Sequence, residues 1–143
     1  MTMLDLQRYA DWRPRLFAFA SGLKTMEFNW GENDCFTALV AGAIEAMTGT
    51  DPATPLRSRY HNEASARALL TDLGHETLAD LMRSMLPEGP IAMARIGDIA
   101  FIAEDNPLGG GLGVVIGARV LVLRQTGTGT MPLLAAQTSF KVG

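Results

Sequence analysis

At Pro87-Glu-Gly-Pro90 the hydrophobic pattern of this chain changes period. Before it, apolar residues recur at helical spacing; after it, they follow the alternation of strands. Asp11 and Pro14 predict a helix start followed by Leu16, Phe17, Ala20 and Leu23. Phe28-Asn-Trp-Gly31 interrupts the pattern, and Asn33 or Asp34 can then cap a second helix from Cys35 to about Met47. Leu39, Val40, Ala43, Ile44 and Met47 line one face of it, and Thr48-Gly49 ends it. Asp51 to Arg57 carries two prolines and reads as loop. Asn62 opens a third helix through Leu69 and Leu70 to Gly74, and Thr77 caps a fourth through Met82 and Met85. Downstream, the spacing predicts strands over 97–102, 112–116 and 120–123, the last two joined at Gly117-Ala-Arg. Gln125 to Thr130 reads as a turn, and Ser139-Phe-Lys-Val142 as a closing strand. Helices first and strands second imply an α+β fold, with N-terminal helices packed on a C-terminal antiparallel sheet.

With 143 residues the chain has the size of one domain, read here as residues 1–143. A chain this long buries roughly 68% of its unfolded surface. At 48% hydrophobic residues it can build that core without disulfide or metal. The net charge of −3 and the absence of any Lys/Arg block argue against nucleic acid and anionic lipid as partners. No apolar run approaches the roughly 20 residues of a membrane span. Met1 to Asp5 lacks the basic start and apolar centre of a secretion signal, so the expectation is synthesis in the cytoplasm. One cysteine and two histidines, His61 and His75, leave no spacing suited to a metal, and no cofactor is expected.

Chemistry therefore centres on Cys35. It falls in the first turn of the second helix, where free amides and the positive dipole end favour a thiolate. Gly31 leaves room for an approach to the backbone, Asp34 reads as the helix cap, and Trp30 as core or a wall of a cleft. Asp98, after Gly97, reads as a residue that fixes the start of a strand through backbone bonds.

Phe28-Asn-Trp-Gly31-Glu-Asn-Asp34-Cys35 resembles the Tyr-Gly-x-x-Asp-Cys signature of the NlpC-type cell-wall peptidases. Gly97-Asp98-Ile-Ala-Phe resembles the Gly-Asp-Leu-Val-Phe strand of that superfamily, and Gly111-Leu-Gly-Val-Val-Ile-Gly117 its His-Val-Gly-Ile-Tyr-Leu-Gly strand. The resemblance covers about residues 28 to 125 and implies a papain-like fold with Cys35 at the nucleophile position. The Trp-Gly form and the ending Phe140-Lys-Val-Gly143 resemble a small branch from phages, prophages and gene-transfer agents, whose members are encoded among tail genes.

The departure from the pattern lies at the base. Where the family has its catalytic histidine this chain has Gly111, and Leu123 falls where the residue that orients that histidine belongs. Losing one member of such a unit forfeits several orders of magnitude in rate. His61, before the third helix, is the first substitute base to consider, and His75 the second. The resemblance thus implies a degenerate NlpC-like domain in a phage-like tail tip, contacting tail hub proteins and the cell wall. The alternative is an active cysteine peptidase cutting peptidoglycan stem peptides, and a third class is an acyl-transferring or thiol-modifying enzyme.

Overall fold

The computed structural model describes residues 3–143. Met1 and Thr2, the start of the segment read for a secretion signal, lie outside the described residues. Helix α1 spans Trp12–Gly22. A π-helical turn, Cys35–Val40, runs directly into α2, Ala41–Thr48, which stops at the left-handed Gly49. Helices α3 (Glu63–Asp72) and α4 (Leu78–Arg83) follow, each opened by a side-chain cap, from Asn62 and Thr77. Asp11 does not cap α1; its carboxylate pairs with Arg15 one turn on.

Six strands form the C-terminal half: β1 (Glu88–Gly89), β2 (Ile99–Ala103), β3 (Gly110–Val115), β4 (Arg119–Arg124), β5 (Gly127–Pro132) and β6 (Thr138–Phe140). They make one antiparallel sheet in the order β1-β6-β2-β3-β4-β5. The architecture is α+β, with helices first and the sheet second. Two segments differ from their sequence reading. The stop at Pro87–Pro90 contains β1, two residues held only by pairing with β6. The turn expected over 125–130 is shorter, and Gly127–Pro132 pairs with β4 along its whole length. Its Thr-Gly alternation puts no apolar face on view, so the strand lacks the usual period-two signal.

One face of the sheet, through Ile99, Phe101, Leu112, Val114, Leu123 and Phe140, packs on the helices. Leu39, Val40, Ala41, Ala43, Ile44 and Met47 are all fully buried, so the second helix is sunk into the core on several sides. The opposite face carries a smaller cluster of Ala100, Ile102, Val115, Val120, Val122 and Ala136 beneath Ile91 and Leu133.

Arg8 joins the first residues to the segment after β6 and to the approach to β2. Its guanidinium donates to Asp98 Oδ1 at 3.0 Å, to the Val142 carbonyl at 2.7 Å and to the Ile96 carbonyl at 2.8 Å. It also lies over the Trp12 ring at 4.3 Å. Asp98 accepts in addition from the Arg95 and Val142 amides, one residue before β2. Burial lowers the Arg8 pKa, and the charge of Asp98 opposes that shift. Both side chains are nearly covered, at 11% and 5% exposure; deleting Asp98 leaves the Arg8 charge unpaired, and deleting Arg8 leaves Asp98 only the exposed Arg95, at 3.9 Å. Arg8→Ala should therefore cost about 3 kcal/mol in urea unfolding, well beyond the loss from Arg15→Ala at the exposed Asp11 pair.

Candidate functional site

The site is built around the carboxylate of Asp34, which is 2% exposed. Its Oδ1 accepts from the Phe36 and Thr37 amides at 2.9 Å each, closing the start of the helix. Its Oδ2 accepts from the Gly31 amide at 2.9 Å and from the Tyr60 hydroxyl at 2.5 Å. Thr37 returns the cap by accepting from the Asp34 amide. Four donors thus bind one carboxylate, and two of them come from outside the helix. The loop 29–33 is pinched shut by paired backbone bonds between Asn29 and Asn33. Gly31, at φ +83°, is where the second loop comes closest: a Cβ there would lie 2.0 Å from the Tyr60 carbonyl oxygen. The room that glycine leaves is filled by this chain's own backbone.

Cys35 follows directly. The helix opens with a wide turn because the Leu39 amide reaches back to the Asp34 carbonyl, one residue farther than in an α-helix. Cys35 is half-buried as a residue, and its side chain lies in the wall between two spaces. One is an apolar cavity of about 30 Å³ under Leu69, Leu70 and Leu81. The other is a cleft of about 120 Å³ bordered by Gly110, Gly111, Glu104 and Arg124 together with apolar side chains. Trp30 borders both, and Phe28 meets it edge-on at 5.0 Å.

The cleft is a gap in the sheet. β3 and β4 pair at Gly113–Val122, Val114–Leu121 and Val115–Val120, and the ladder goes no farther. β3 nevertheless continues beside β2 back to Gly110, and β4 beside β5 on to Arg124. The Gly113–Val122 bridge is closed on that side by the Leu123 amide on the Leu112 carbonyl, and beyond them the two strands pair no more. Cys35 lines the cleft beside Leu112. On the far side, Arg124 Nη1 donates to both oxygens of Glu104, at 2.8 and 3.0 Å.

These surroundings set the state of the thiol. Burial, and next the negative charge of Asp34, push its pKa up to about 12; the Leu112 amide and Arg124 oppose the shift without cancelling it. This corrects the expectation that the helix start favours thiolate. The amides of the first turn are spent on Asp34, whose charge offsets the positive end of the helix. At neutral pH Cys35 is a thiol.

Trp30, Gly31, Asp34, Cys35 and Gly111 are thus brought together. His61 is exposed, and neither it nor His75 lines the cavity or the cleft. Asp98 stands apart from both spaces, at the Arg8 contact. Tyr60, Glu104 and Arg124 are the site residues that sequence reading missed. Among the described residues no three metal-binding side chains cluster, and no helix is long and apolar enough to cross a membrane. A family model described as a domain of unknown function, DUF6950, matches residues 7–142. In the comparison with curated proteins, nothing matches.

Two measurements check this account. Tyr60→Phe removes one of four donors and should cost about 1–2 kcal/mol, while Asp34→Ala strands all four and should cost about 4 kcal/mol or more in denaturant unfolding. Cys35 should react with iodoacetamide at pH 8 on the order of a hundredfold or more slowly in the native chain than in the unfolded one. The raised folded pKa means that the unfolded chain loses this proton first. The stabilising contribution is therefore complete below about pH 9 and declines as the pH rises toward about 12.

Proposed function

This chain belongs to the DUF6950 family, and we propose that it is a degenerate NlpC-like, papain-type domain that binds or assembles without hydrolysing. The observation that carries the reading is the pairing of Cys35 with Gly111. A cysteine peptidase needs a base within reach to take the thiol proton. In this chain the base position is a glycine, the orienting position is the buried Leu123, and the thiol is held protonated by burial and Asp34. Backbone geometry does not demand the glycine. A Cβ at 111 would meet only Glu104 Oε1, at an ordinary 3.5 Å, so the backbone there accepts a residue other than glycine.

The setting is a phage-like tail tip, where the domain contacts hub proteins or the cell wall after synthesis in the cytoplasm. This part rests on the resemblance of Trp30-Gly31-x-x-Asp34-Cys35 and of the Phe140-Lys-Val-Gly143 ending to the tail-encoded branch. A fold that lacks its base remains a usable binding module, because function lies in the site and not in the fold. The competing reading is a peptidase acting on peptidoglycan stem peptides with a base supplied by a neighbouring protein. What favours it is the open cleft beside the Cys35 sulfur.

The two readings separate in one pair of assays. The purified domain should release no soluble fragments from peptidoglycan above background. Particles carrying Cys35→Ser should assemble and deliver their contents like the parent. Fragment release that vanishes in Cys35→Ala, or particles that assemble and then fail to deliver, would overturn the non-hydrolytic reading.

A further inference from the structure

We propose that the outer edge of β5 is a self-association surface, on which a second copy of this chain adds its own β5, antiparallel and about a two-fold axis at Gly129. The pairing joins two six-stranded sheets into one.

The two edges of the sheet differ. At one, β1 is two residues long between Pro87 and Pro90, too short to template a strand. At the other, β5 keeps register with β4 through all of its residues, without a bulge. Gly127-Thr-Gly-Thr-Met-Pro132 holds no charged residue, and its proline comes last. Before that proline, none of the devices that blunt an edge interrupts the strand.

The register shows which main-chain groups face out. The Leu133 amide donates to the Ala118 carbonyl. In that ladder Gly127, Gly129 and Met131 bond to β4, and the main-chain groups of Thr128 and Thr130 turn away from it. Among the described residues nothing meets the amide or carbonyl of Thr128, or the amide of Thr130. The Thr130 carbonyl takes one bond, from Arg119 Nη2 at 3.2 Å, and a carbonyl has a second lone pair to offer. The Leu23–Thr25 turn lies near β5 but makes no main-chain bond to it, and Gly129 and Thr130 are exposed.

The occupant follows from the strand's fit to itself. Turned about Gly129, Thr128 of each copy stands opposite the partner's Thr130, and the outward amides and carbonyls of these two pairs satisfy one another. Threonine pairs of this kind favour a ladder. On the other face Met131, the bulkiest residue of the strand, falls opposite the partner's Gly127. Sliding the axis to Thr130 would set Pro132, which has no amide, against the partner's Thr128 and lose a bond. One strand pair of this length covers less than the roughly 800 Å² per partner of a stable complex, so the dimer forms on concentration and parts on dilution.

The test is sedimentation of the full chain from about 20 µM to about 1 mM, the range of small, transient interfaces. The average mass should rise toward that of a dimer. In the isotopically labelled chain, the Thr128 and Thr130 amides should shift with concentration. Gly129→Lys and Gly129→Glu each set like charges opposite one another at the axis and should weaken the association severalfold. A side chain at 129 enters open space, so the fold accommodates both. An equimolar mixture of the two variants should associate more tightly than either alone, a gain that a damaged strand could not produce. A chain that stays monomeric throughout, a dimer indifferent to charge at Gly129, or a mixture no tighter than its components would overturn the inference.

Discussion

A single buried carboxylate, that of Asp34, holds together the loop before the second helix, the first turn of that helix and the segment leading to α3. A charge with 2% exposure is costly unless its lone pairs are satisfied, and here four donors supply that satisfaction. The dependence also runs the other way. Without the carboxylate, the Gly31, Phe36 and Thr37 amides and the Tyr60 hydroxyl would all be buried without an acceptor. The position of Cys35 is a consequence of this arrangement. Its backbone lies between residues fixed by the same two oxygens, and its side chain is aimed at the sheet.

The sheet meets the thiol with an interruption. An antiparallel ladder ordinarily continues until a turn or a bulge ends it. Between β3 and β4 it ends while both strands are still extended, just past Leu112 and Leu123, where Cys35 lines the opening. The helix start and the open end of the ladder lie side by side: Cys35, Gly111, Leu112 and Leu123 border the same cleft. Glu104 and Arg124 then span the open end by side-chain contacts, where main-chain bonds are missing.

Much of this frame is legible in the sequence because it is locally encoded. Asp34, Asn62 and Thr77 are caps by residue type and position, and Gly49 and Gly74 end their helices at positive φ. β2, β3 and β4 show in their apolar runs. What is hidden depends on partners far along the chain. β1 exists only through β6, and β5 only through β4, since neither has an apolar face of its own. The π-helical first turn follows from where the Leu39 amide finds its acceptor, and no residue type announces that. Trp30, Asp34, Cys35 and Gly111 could be found from a motif, whereas Tyr60 reaches Asp34 across 26 residues, and Glu104 reaches Arg124 across 20. Arg8, 90 residues from Asp98, is likewise invisible to any local pattern.

The chemistry of the thiol follows from a conflict within this frame. The carboxylate that stabilises the loop is also a negative charge beside the sulfur, and it acts in the same direction as burial. Ionising Cys35 would place two anions on adjacent residues in a poorly solvated site. An enzyme on this frame would need a cation close to the sulfur, as an imidazolium is when it pairs with a thiolate. The cation that acts on Cys35 here is Arg124, and its effect is the smallest of those on the thiol, with Glu104 sharing its charge. Strengthening the Asp34 network favours the fold and disfavours the thiolate at the same time. Without a base at position 111 nothing in the cleft reverses that balance, and what the cleft retains is shape, an aromatic wall and one exchangeable ion pair. All three are present with the thiol protonated.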